Sequence, residues 1–261
     1  MGLKKDIIKI GEDIGFNLVR FYKPEIIKDE YFERWIKEGY YGDMEYLKMT
    51  MDKRLNPFLV FSNLKTIISC AVAYNYIKYE ENGRRIAAFA LFEDYHKVLK
   101  RMLKEYLKRI KSLIPEAEGK VFVDTGPVFE KEIAVRCGIG FRGKNTLVIN
   151  RDFGSFFVLG EIFINIDIEP DGPVSDDCGE CDLCIKACPK GAIFEPYKLD
   201  PRKCISYITI EKKIKDFNLE ETNGYIYGCD ECQVVCPYNS ERRVKLNIFS
   251  KVLNNLLQNH R

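Results

Sequence analysis

The chain is poor in histidine, in net charge and in long hydrophobic runs. Its 261 residues include only two histidines, His96 and His260, which excludes a His-rich zinc or non-haem iron site. The 41 basic and 39 acidic residues give a formal net charge of only +2, so the whole-chain charge indicates neither nucleic acid nor an anionic membrane as a partner. The longest mostly apolar stretch, residues 67–77, is too short to span a bilayer.

The N-terminal segment gives no sign of export. Residues 1–16 carry acidic side chains where a secretory signal peptide would have its apolar region. We therefore expect a soluble, cytoplasmic protein that makes no membrane contact. The 46% hydrophobic content, with 15 tyrosines and 17 phenylalanines, can build a sizeable core and excludes wholesale disorder.

Cysteine, in contrast, is abundant. Ten are present, and eight of them fall between Cys178 and Cys236. Without an export signal, such a cluster indicates metal ligands before disulfides. The first run has the spacing C-x2-C-x2-C-x3-C-P, which is typical of 4Fe–4S ferredoxins, where the fourth cysteine ligates the other cluster. A second copy follows, stretched by an insert at residues 205–228.

The exchange of the fourth cysteine predicts two sets of cluster ligands. Cluster one takes Cys178, Cys181, Cys184 and Cys236, and cluster two takes Cys188, Cys204, Cys229 and Cys232. Structural zinc is the alternative for paired CxxC motifs. Eight cysteines with two Cys-Pro endings favour two cubanes, which form a path for single electrons. We expect a helix in the insert 205–228, where it would shield cluster two and tune its potential.

Two features ahead of the cysteines are candidate site elements. The turn 138–143 matches GxGxxG, but it follows a predicted helix and leads into a strand, so we reject dinucleotide binding. Its glycines suit close approach of the backbone to a bulky ligand, with Lys144, Asn145 and Thr146 as donors at the rim. Asp124 ends an apolar strand before Thr-Gly-Pro, and is either a helix N-cap or a proton donor of raised pKa.

Hydrophobic periodicity predicts a mixture of helices and strands. Helices are expected over residues 3–15, 25–48, 95–113 and 127–137, and strands over 64–76, 120–123, 145–150 and 155–166. The helix 95–113 is amphipathic, and its polar face carries a row of basic residues, opposed by Glu105 alone: Lys97, Lys100, Arg101, Lys104, Lys108, Arg109 and Lys111. That face is either simply solvated or binds phosphates.

Together these segments resemble the epoxyqueuosine reductase family. The resemblance is carried by VDTGPVFEKEIAVRCGIGFRGKNTLVI, GSFFVLGEIF, CGECDLCIKACPKGAI, ISYITIE and CDECQVVCPYN, with DMEYLK, RLNP and DYHKVLK nearer the N-terminus. That family uses cobalamin and two 4Fe–4S clusters to reduce the epoxide of epoxyqueuosine in tRNA to queuosine. The resemblance implies an α+β fold with a nitroreductase-like cobalamin-binding domain at 1–172, a bacterial-type two-cluster ferredoxin domain at 173–240 and a short C-terminal helix at 241–261.

The resemblance also implies roles for individual residues. Asp124 matches the family's catalytic acid, which gives a proton to the opening epoxide oxygen, and Arg54 matches a cobalamin-contacting arginine. The cofactor contacts implied are Arg54, Asp124, Gly140, Gly143, Lys144, Asn145, Thr146, Val148 and Leu159. Cobalamin is expected base-off without a protein histidine, because the DxHxxG motif fails at Leu99. His96 is then expected to make a local hydrogen bond or to contact substrate.

The chain departs from the family pattern at several points. It ends 25 residues after Cys236, where family members usually continue into a helical-repeat domain that helps to grip tRNA. Ala88 and Phe92 stand where the family often has Arg and Gly, and Phe141-Arg142 replaces Trp-Ile. The resemblance still predicts reduction of tRNA-borne epoxyqueuosine, fed by an external low-potential electron donor. The alternatives are a cobalamin-dependent reductase of a small molecule, as in reductive dehalogenases, or a non-catalytic iron–sulfur carrier or corrinoid-handling protein.

Overall fold

The computed structural model describes residues 2–240. The helices are α1 Leu3–Ile14, α2 Glu30–Lys37, α3 Glu45–Met49, α4 Met51–Leu55, α5 Tyr95–Leu113, α6 Glu130–Arg136, α7 Leu183–Ala187, α8 Glu231–Val234 and α9 Pro237–Ser240. The strands are β1 Leu18–Tyr22, β2 Thr66–Ala73, β3 Tyr79–Glu81, β4 Arg84–Ile86, β5 Gly119–Phe122, β6 Phe141–Arg142, β7 Val148–Ile149, β8 Phe157–Ile164, β9 Ile193–Glu195, β10 Lys198–Leu199 and β11 Tyr225–Tyr227. The predicted C-terminal helix at 241–261 lies outside the described residues.

A four-stranded antiparallel sheet forms the centre of the N-terminal part, in the order β1-β2-β8-β5. Strand β2 is buried along its whole length, as its run of Ile, Val, Cys and Ala suggests, and pairs with β8 from Thr66↔Ile164 to Ala73↔Phe157. Helices α1 and α5 pack on one face of the sheet, and α6 covers the other. The result is three layers, with apolar side chains filling both interfaces.

The cysteine-rich part is tied to this body by a small second sheet. Strand β11, just before Cys229, pairs in parallel with β4, and β4 pairs in turn with β3. An ion pair between Arg85 and Glu231 at 2.5 Å adds to this connection. The pairing fixes the second cysteine run against the N-terminal part. Across residues 2–240, no helix combines the length and the apolar character needed to cross a membrane.

The structure differs from the predicted elements in three places. The helix predicted over 25–48 is broken, because Gly39 and Gly42 adopt left-handed backbone angles of φ +74° and +57° between α2 and α3. The helix predicted from residue 127 begins at Glu130. The helix expected in the insert 205–228 is a π-helical turn, Tyr207–Glu211, and the insert ends in strand β11. The amphipathic helix over 95–113 is confirmed as α5.

Candidate active site

A cavity of about 910 Å³ lies between α2, the segment after β5 and the cysteine-rich part. Its lining combines aromatic rings, a few polar groups and thiols: Tyr31, Phe32, Trp35 and Phe129, then Arg54, Asp124, Asn145 and Thr146, then Cys188, Cys204, Cys229 and Cys232. A mostly apolar cleft of this size with few polar groups suits a large, flat organic ligand. The four predicted ligands of cluster two therefore border the same space as Asp124.

Asp124 stands two residues after the end of β5, in a strained conformation. Its backbone φ is +47°, a left-handed value that Asp tolerates better than most residues. Its N–H donates to Glu130 Oε1 at 2.6 Å, and its side chain is 55% exposed. The alternative role as a helix N-cap is wrong, because α6 begins at Glu130 and Phe129 occupies the N-cap position. The carboxyl of Asp124 is therefore free of a capping role and accessible from the cavity.

His96 joins Asp124 to a second carboxylate. Its Nε2 lies 3.1 Å from Asp124 Oδ2, and its Nδ1 lies 2.8 Å from Asp94 Oδ1. Partial burial lowers the pKa of His96, but hydrogen bonds and charge from Asp124 and Asp94 outweigh it, so the pKa lies above its ordinary value. The same contact with His96 lowers the pKa of Asp94. The expectation of a local hydrogen bond for His96 is confirmed by its contact with Asp94. The other ring nitrogen of His96 contacts Asp124.

The short segment Asp94-Tyr95-His96 supplies this arrangement because it starts a helix. Asp94 is the N-cap of α5 and accepts from the His96 N–H at 3.0 Å. The Tyr95 ring stacks on the imidazole at 4.0 Å between ring centroids, and burial, together with the nearby charge of Asp124, raises the pKa of Tyr95. Sequence reasoning missed this set of contacts, since residues 94–96 and Asp124 are far apart along the chain. The capping pattern of Asp94 was the only local signal.

Arg54 braces the segment that follows Asp124. It is 9% exposed, and its guanidinium donates to the carbonyls of Val128 at 2.7 Å and Gly126 at 3.2 Å, while its Nε–H reaches Thr50 Oγ1 at 3.0 Å. Burial lowers the pKa of Arg54, and the charge of Glu130 works in the opposite direction. Arg54 also lines the cavity. The guanidinium that holds the 124–129 segment therefore also faces the space for a ligand.

Several predicted cofactor contacts do not line the cavity. Gly140 and Gly143 are close to β7 instead: a Cβ at Gly140 would collide with the Ile149 carbonyl, and one at Gly143 with the Ile149 side chain. The close backbone approach expected of these glycines is thus an approach to a neighbouring strand. Val148 and Leu159 pack in the hydrophobic layer beneath α6.

The remaining residues of that turn lie between the cavity and the cysteines. The Lys144 N–H points at Cys178 Sγ, 3.4 Å away, and its Nζ donates to the Gly179 carbonyl at 2.6 Å. Asn145 lines the cavity and its Nδ2 reaches the Cys232 carbonyl at 3.4 Å. Thr146, also on the lining, has φ +65° at the tip of the β6–β7 turn. The turn therefore connects both cysteine groups to the cavity.

All eight clustered cysteines are free thiols, and four of them line the cavity together: Cys188, Cys204, Cys229 and Cys232. Burial, and then the neighbouring Cys178, Cys236 and Cys181, raise the pKa of Cys184 to about 11. Burial also raises the pKa of Cys232, and its neighbours are Cys204, Cys229 and Cys188, followed by Cys184. The thiols on the cavity lining are the four that the spacing assigns to cluster two, and the assignment of ligands to each cluster stays a prediction. Cys184, assigned to cluster one, lies near Cys232, so the two predicted sets are neighbours.

The donor set suits two 4Fe–4S clusters. Eight thiols are the number of ligands that two cubanes require, and no described disulfide competes for them. Backbone N–H groups already point at sulfur, from Lys144 to Cys178 Sγ and from Ala192 to Cys188 Sγ at 3.2 Å. Such hydrogen bonds stabilise thiolates and tune cluster potentials. The buried thiols would ionise on binding iron.

Comparisons with known proteins agree on one family. Residues 54–125 match the family described as Epoxyqueuosine reductase QueG, DUF1730, and residues 177–239 match the 4Fe-4S double cluster binding domain. The epoxyqueuosine reductase of Cyclobacterium marinum is 40% identical over 246 residues, which covers 91% of this chain and 78% of the relative. Both matched segments contain residues that line the cavity.

Solved structures show the same similarity. The structure of epoxyqueuosine reductase from Streptococcus thermophilus superposes with a TM-score of 0.80 at 34% identity, covering 95% of this chain and 69% of that one. A crystal structure of epoxyqueuosine reductase with a tRNA-Tyr epoxyqueuosine-modified stem loop gives a TM-score of 0.78 at 31% identity, covering 94% and 67%. The similarity therefore spans both the layered N-terminal part and the cysteine-rich part.

Proposed function

Since the chain belongs to the epoxyqueuosine reductase family, we propose that it reduces the epoxide of epoxyqueuosine in tRNA to the alkene of queuosine. The observation that supports this best is one cavity bordered both by Asp124, with its partner His96, and by a group of four thiols. A reductive epoxide opening needs a proton source and an electron source at the same place. In this chain, Asp124 would supply the proton and the cluster held by the four thiols would supply the electrons, and both border the same cavity.

The cofactors are two 4Fe–4S clusters and cobalamin. We propose that Cys178, Cys181, Cys184 and Cys236 hold one cluster, and that Cys188, Cys204, Cys229 and Cys232 hold the other. Cobalamin would occupy the cavity, with Arg54, Asn145 and Thr146 as polar contacts. When bound, these groups supply single electrons and a strongly reducing cobalt centre. Both ring nitrogens of His96, the one histidine among residues 2–240, contact carboxylates, so we propose a base-off cofactor with no protein histidine ligand.

The protein's own contribution is proton delivery. Epoxide plus two electrons and two protons gives alkene plus water, and Asp124 is proposed to protonate the epoxide oxygen as the C–O bond breaks. The imidazolium of His96, held between Asp94 and Asp124, stands 3.1 Å from Asp124 Oδ2 and can return a proton to it. The Tyr95 ring stacks on this imidazole and helps to keep it in place. Arg54 keeps the 124–129 segment in place during the reaction.

The finer organisation of the molecule is also a proposal. We propose a nitroreductase-like fold for residues 1–172 and a ferredoxin-like domain for residues 173–240, joined by the pairing of β4 with β11. We propose that the protein works in the cytoplasm with its tRNA substrate. An external low-potential donor would reduce the first cysteine group's cluster, because the second group borders the cavity.

The basic face of α5 is the proposed contact for tRNA phosphates. The helix starts beside Asp124 and runs outward for 19 residues, about 28 Å. Within residues 2–240, Lys100, Lys104 and Lys111 are exposed and form no ion pair, whereas Lys97, Arg101, Lys108 and Arg109 each pair with a nearby acid. A nucleotide that enters the cavity must place its neighbouring backbone near the start of this helix. The three unpaired lysines are the proposed contacts to the phosphates of that backbone.

The test is Asp124→Asn in the reconstituted holoenzyme. Asn keeps the shape of the side chain and tolerates the left-handed backbone, but it cannot give a proton to the epoxide. We expect queuosine formation from epoxyqueuosine-containing tRNA to fall by a factor on the order of 100 or more, with iron content and cobalamin absorbance unchanged. Asp167→Asn is the control, because Asp167 is an exposed partner of Lys23. Full turnover by Asp124→Asn contradicts the proton-donor role, and no product from wild type contradicts the function.

A further inference from the structure

Two glutamates behind Asp124 take part in no step described above. Glu130 opens α6 on the cavity wall, and its Oε1 accepts the Asp124 N–H at 2.6 Å. Glu161 lies in β8 with no exposed surface, on the sheet face that α6 covers. Burial, and then the charge of Glu130, raises the pKa of Glu161, so the two carboxyl groups lie close together where α6 packs on β8. A path thus runs from the central sheet through Glu130 to the backbone of Asp124.

This pair must share a proton. Ser69 Oγ donates weakly to Glu161 Oε1, at 3.5 Å, and Glu161 Oε2 has no donor facing it among the described residues. Two ionised carboxylates in contact at a buried site repel each other, so one of them carries a hydrogen. Burial raises the pKa of Glu161 well above its usual range, and that of Glu130 to about 7. Glu161 has no exposed surface and only the distant Ser69 hydroxyl as a donor, so it is the member of the pair that stays neutral, while Glu130 Oε1 accepts the Asp124 N–H.

The segment 124–129 needs such an anchor. It leaves β5 through a left-handed residue and contains no helix or strand of its own. Arg54 holds its far end through the carbonyls of Gly126 and Val128. At its near end, the backbone N–H of Asp124 donates a hydrogen bond to Glu130 Oε1. Loss of that bond would free the Asp124 carboxyl to leave His96.

We propose that the Glu161–Glu130 pair is a positioning device for the catalytic acid. The acid form of Glu161 fixes Glu130, and Glu130 fixes the backbone of Asp124, which keeps its carboxyl on His96 and at the cavity. Neither glutamate passes a proton to the substrate. The inference rests on the function proposed for Asp124, and it adds two residues, from α6 and β8, to the machinery of proton delivery.

Four variants separate positioning from proton transfer. Glu130→Gln keeps a carbonyl acceptor for the Asp124 N–H, whereas Glu130→Ala removes it. Glu161→Gln keeps a donor to Glu130, whereas Glu161→Leu removes it. In single-turnover assays we expect both alanine and leucine variants to lose roughly 10- to 100-fold in the rate of the chemical step, with the tRNA KM changed by less than about twofold. Both glutamine variants should stay within about threefold of wild type.

Asp171→Ala is the matched control. Asp171 also accepts a backbone N–H, from Phe21 at 2.9 Å, but it lies away from the cavity. Its replacement removes a carboxylate–backbone hydrogen bond and an ion pair with Lys4 away from the cavity, and we expect its rate to equal that of wild type. A loss of rate in Asp171→Ala as large as in Glu130→Ala would show that the effect is general, and would overturn the proposal.

Hydrogen exchange gives a readout that needs no turnover. The Asp124 amide should be protected in wild type and in Glu130→Gln, and should exchange at least about tenfold faster in Glu130→Ala. Unchanged exchange in Glu130→Ala, or full activity in that variant, overturns the proposal. Inactivity of Glu130→Gln with a protected amide assigns Glu130 to proton transfer instead. If wild type forms no queuosine, the proposed function fails, while the exchange data still decide whether Glu130 holds Asp124.

Discussion

Removal of the imidazole of His96 tests the proton supply to Asp124. In His96→Ala, Asp124 loses a donor 3.1 Å from Oδ2, and Asp94 loses the group that it orients. The His96 and Asp124 side chains are 39% and 55% exposed, so solvent screens the pair and its contribution to stability is below about 1 kcal/mol. The effect on rate is larger, because a positioned acid or base contributes on the order of 100-fold or more. We therefore expect a large loss of rate with little change in Tm.

The pH dependence follows from the raised pKa of His96. A raised pKa means that the folded protein binds this proton more tightly than the unfolded chain does. The stabilising contribution is complete below the unfolded pKa and is lost as the pH rises through the higher, folded value. The supply of protons to Asp124 declines over the same range. The rate of wild type should accordingly fall on the alkaline side, with a midpoint above 6.5, the ordinary pKa of His96.

The assay is an anaerobic single turnover with both clusters and cobalamin loaded, read as queuosine by mass after digestion. The rate is measured from about pH 6 to about pH 9 for wild type and for His96→Ala, with iron content as the check on loading. His96→Ala should lack the alkaline decline that wild type shows. An identical alkaline decline in both proteins would refute the reasoning, as would a wild-type rate that does not change over the range.

Two further predictions follow from the packing and the surface. Gly140→Ala should lower the free energy of unfolding by about 1–3 kcal/mol, because its Cβ would collide with the Ile149 carbonyl. Gly172→Ala, where nothing lies within 4 Å of the new Cβ, is its control, and equal urea midpoints for the two variants would contradict this prediction. Replacing Lys100, Lys104 and Lys111 together by Gln should weaken tRNA binding and make its salt dependence shallower by up to about 3 units of slope, measured by titration at several salt concentrations. A triple variant that binds tRNA like wild type at every salt concentration would leave the α5 face as solvated surface only.

The local patterns of the sequence determined much of the architecture. The two-cluster assignment starts from cysteines separated by two or three residues and is completed by the ferredoxin pattern in which the fourth cysteine of each run ligates the other cluster. Helix α5 was equally predictable, since its apolar residues recur at helical period and Asp94 caps its start. The family resemblance added Asp124 and Arg54 as candidates. Most of these signals come from residues that are close together in the sequence, so they can be recognised without knowledge of the fold.

Tertiary structure decided what those candidates touch. Asp124 meets His96 across 28 residues of chain, and Glu130 meets Glu161 only because α6 lies on the face of the sheet that Glu161 occupies. No periodicity shows such contacts, since they depend on how β5, β8 and α5 are placed against one another. The glycines of the 138–143 turn illustrate the same limit: the sequence indicated that backbone approaches closely there, and the fold decided that the neighbour is β7. Spacing specifies chemistry within one segment, whereas packing specifies which segments share a site.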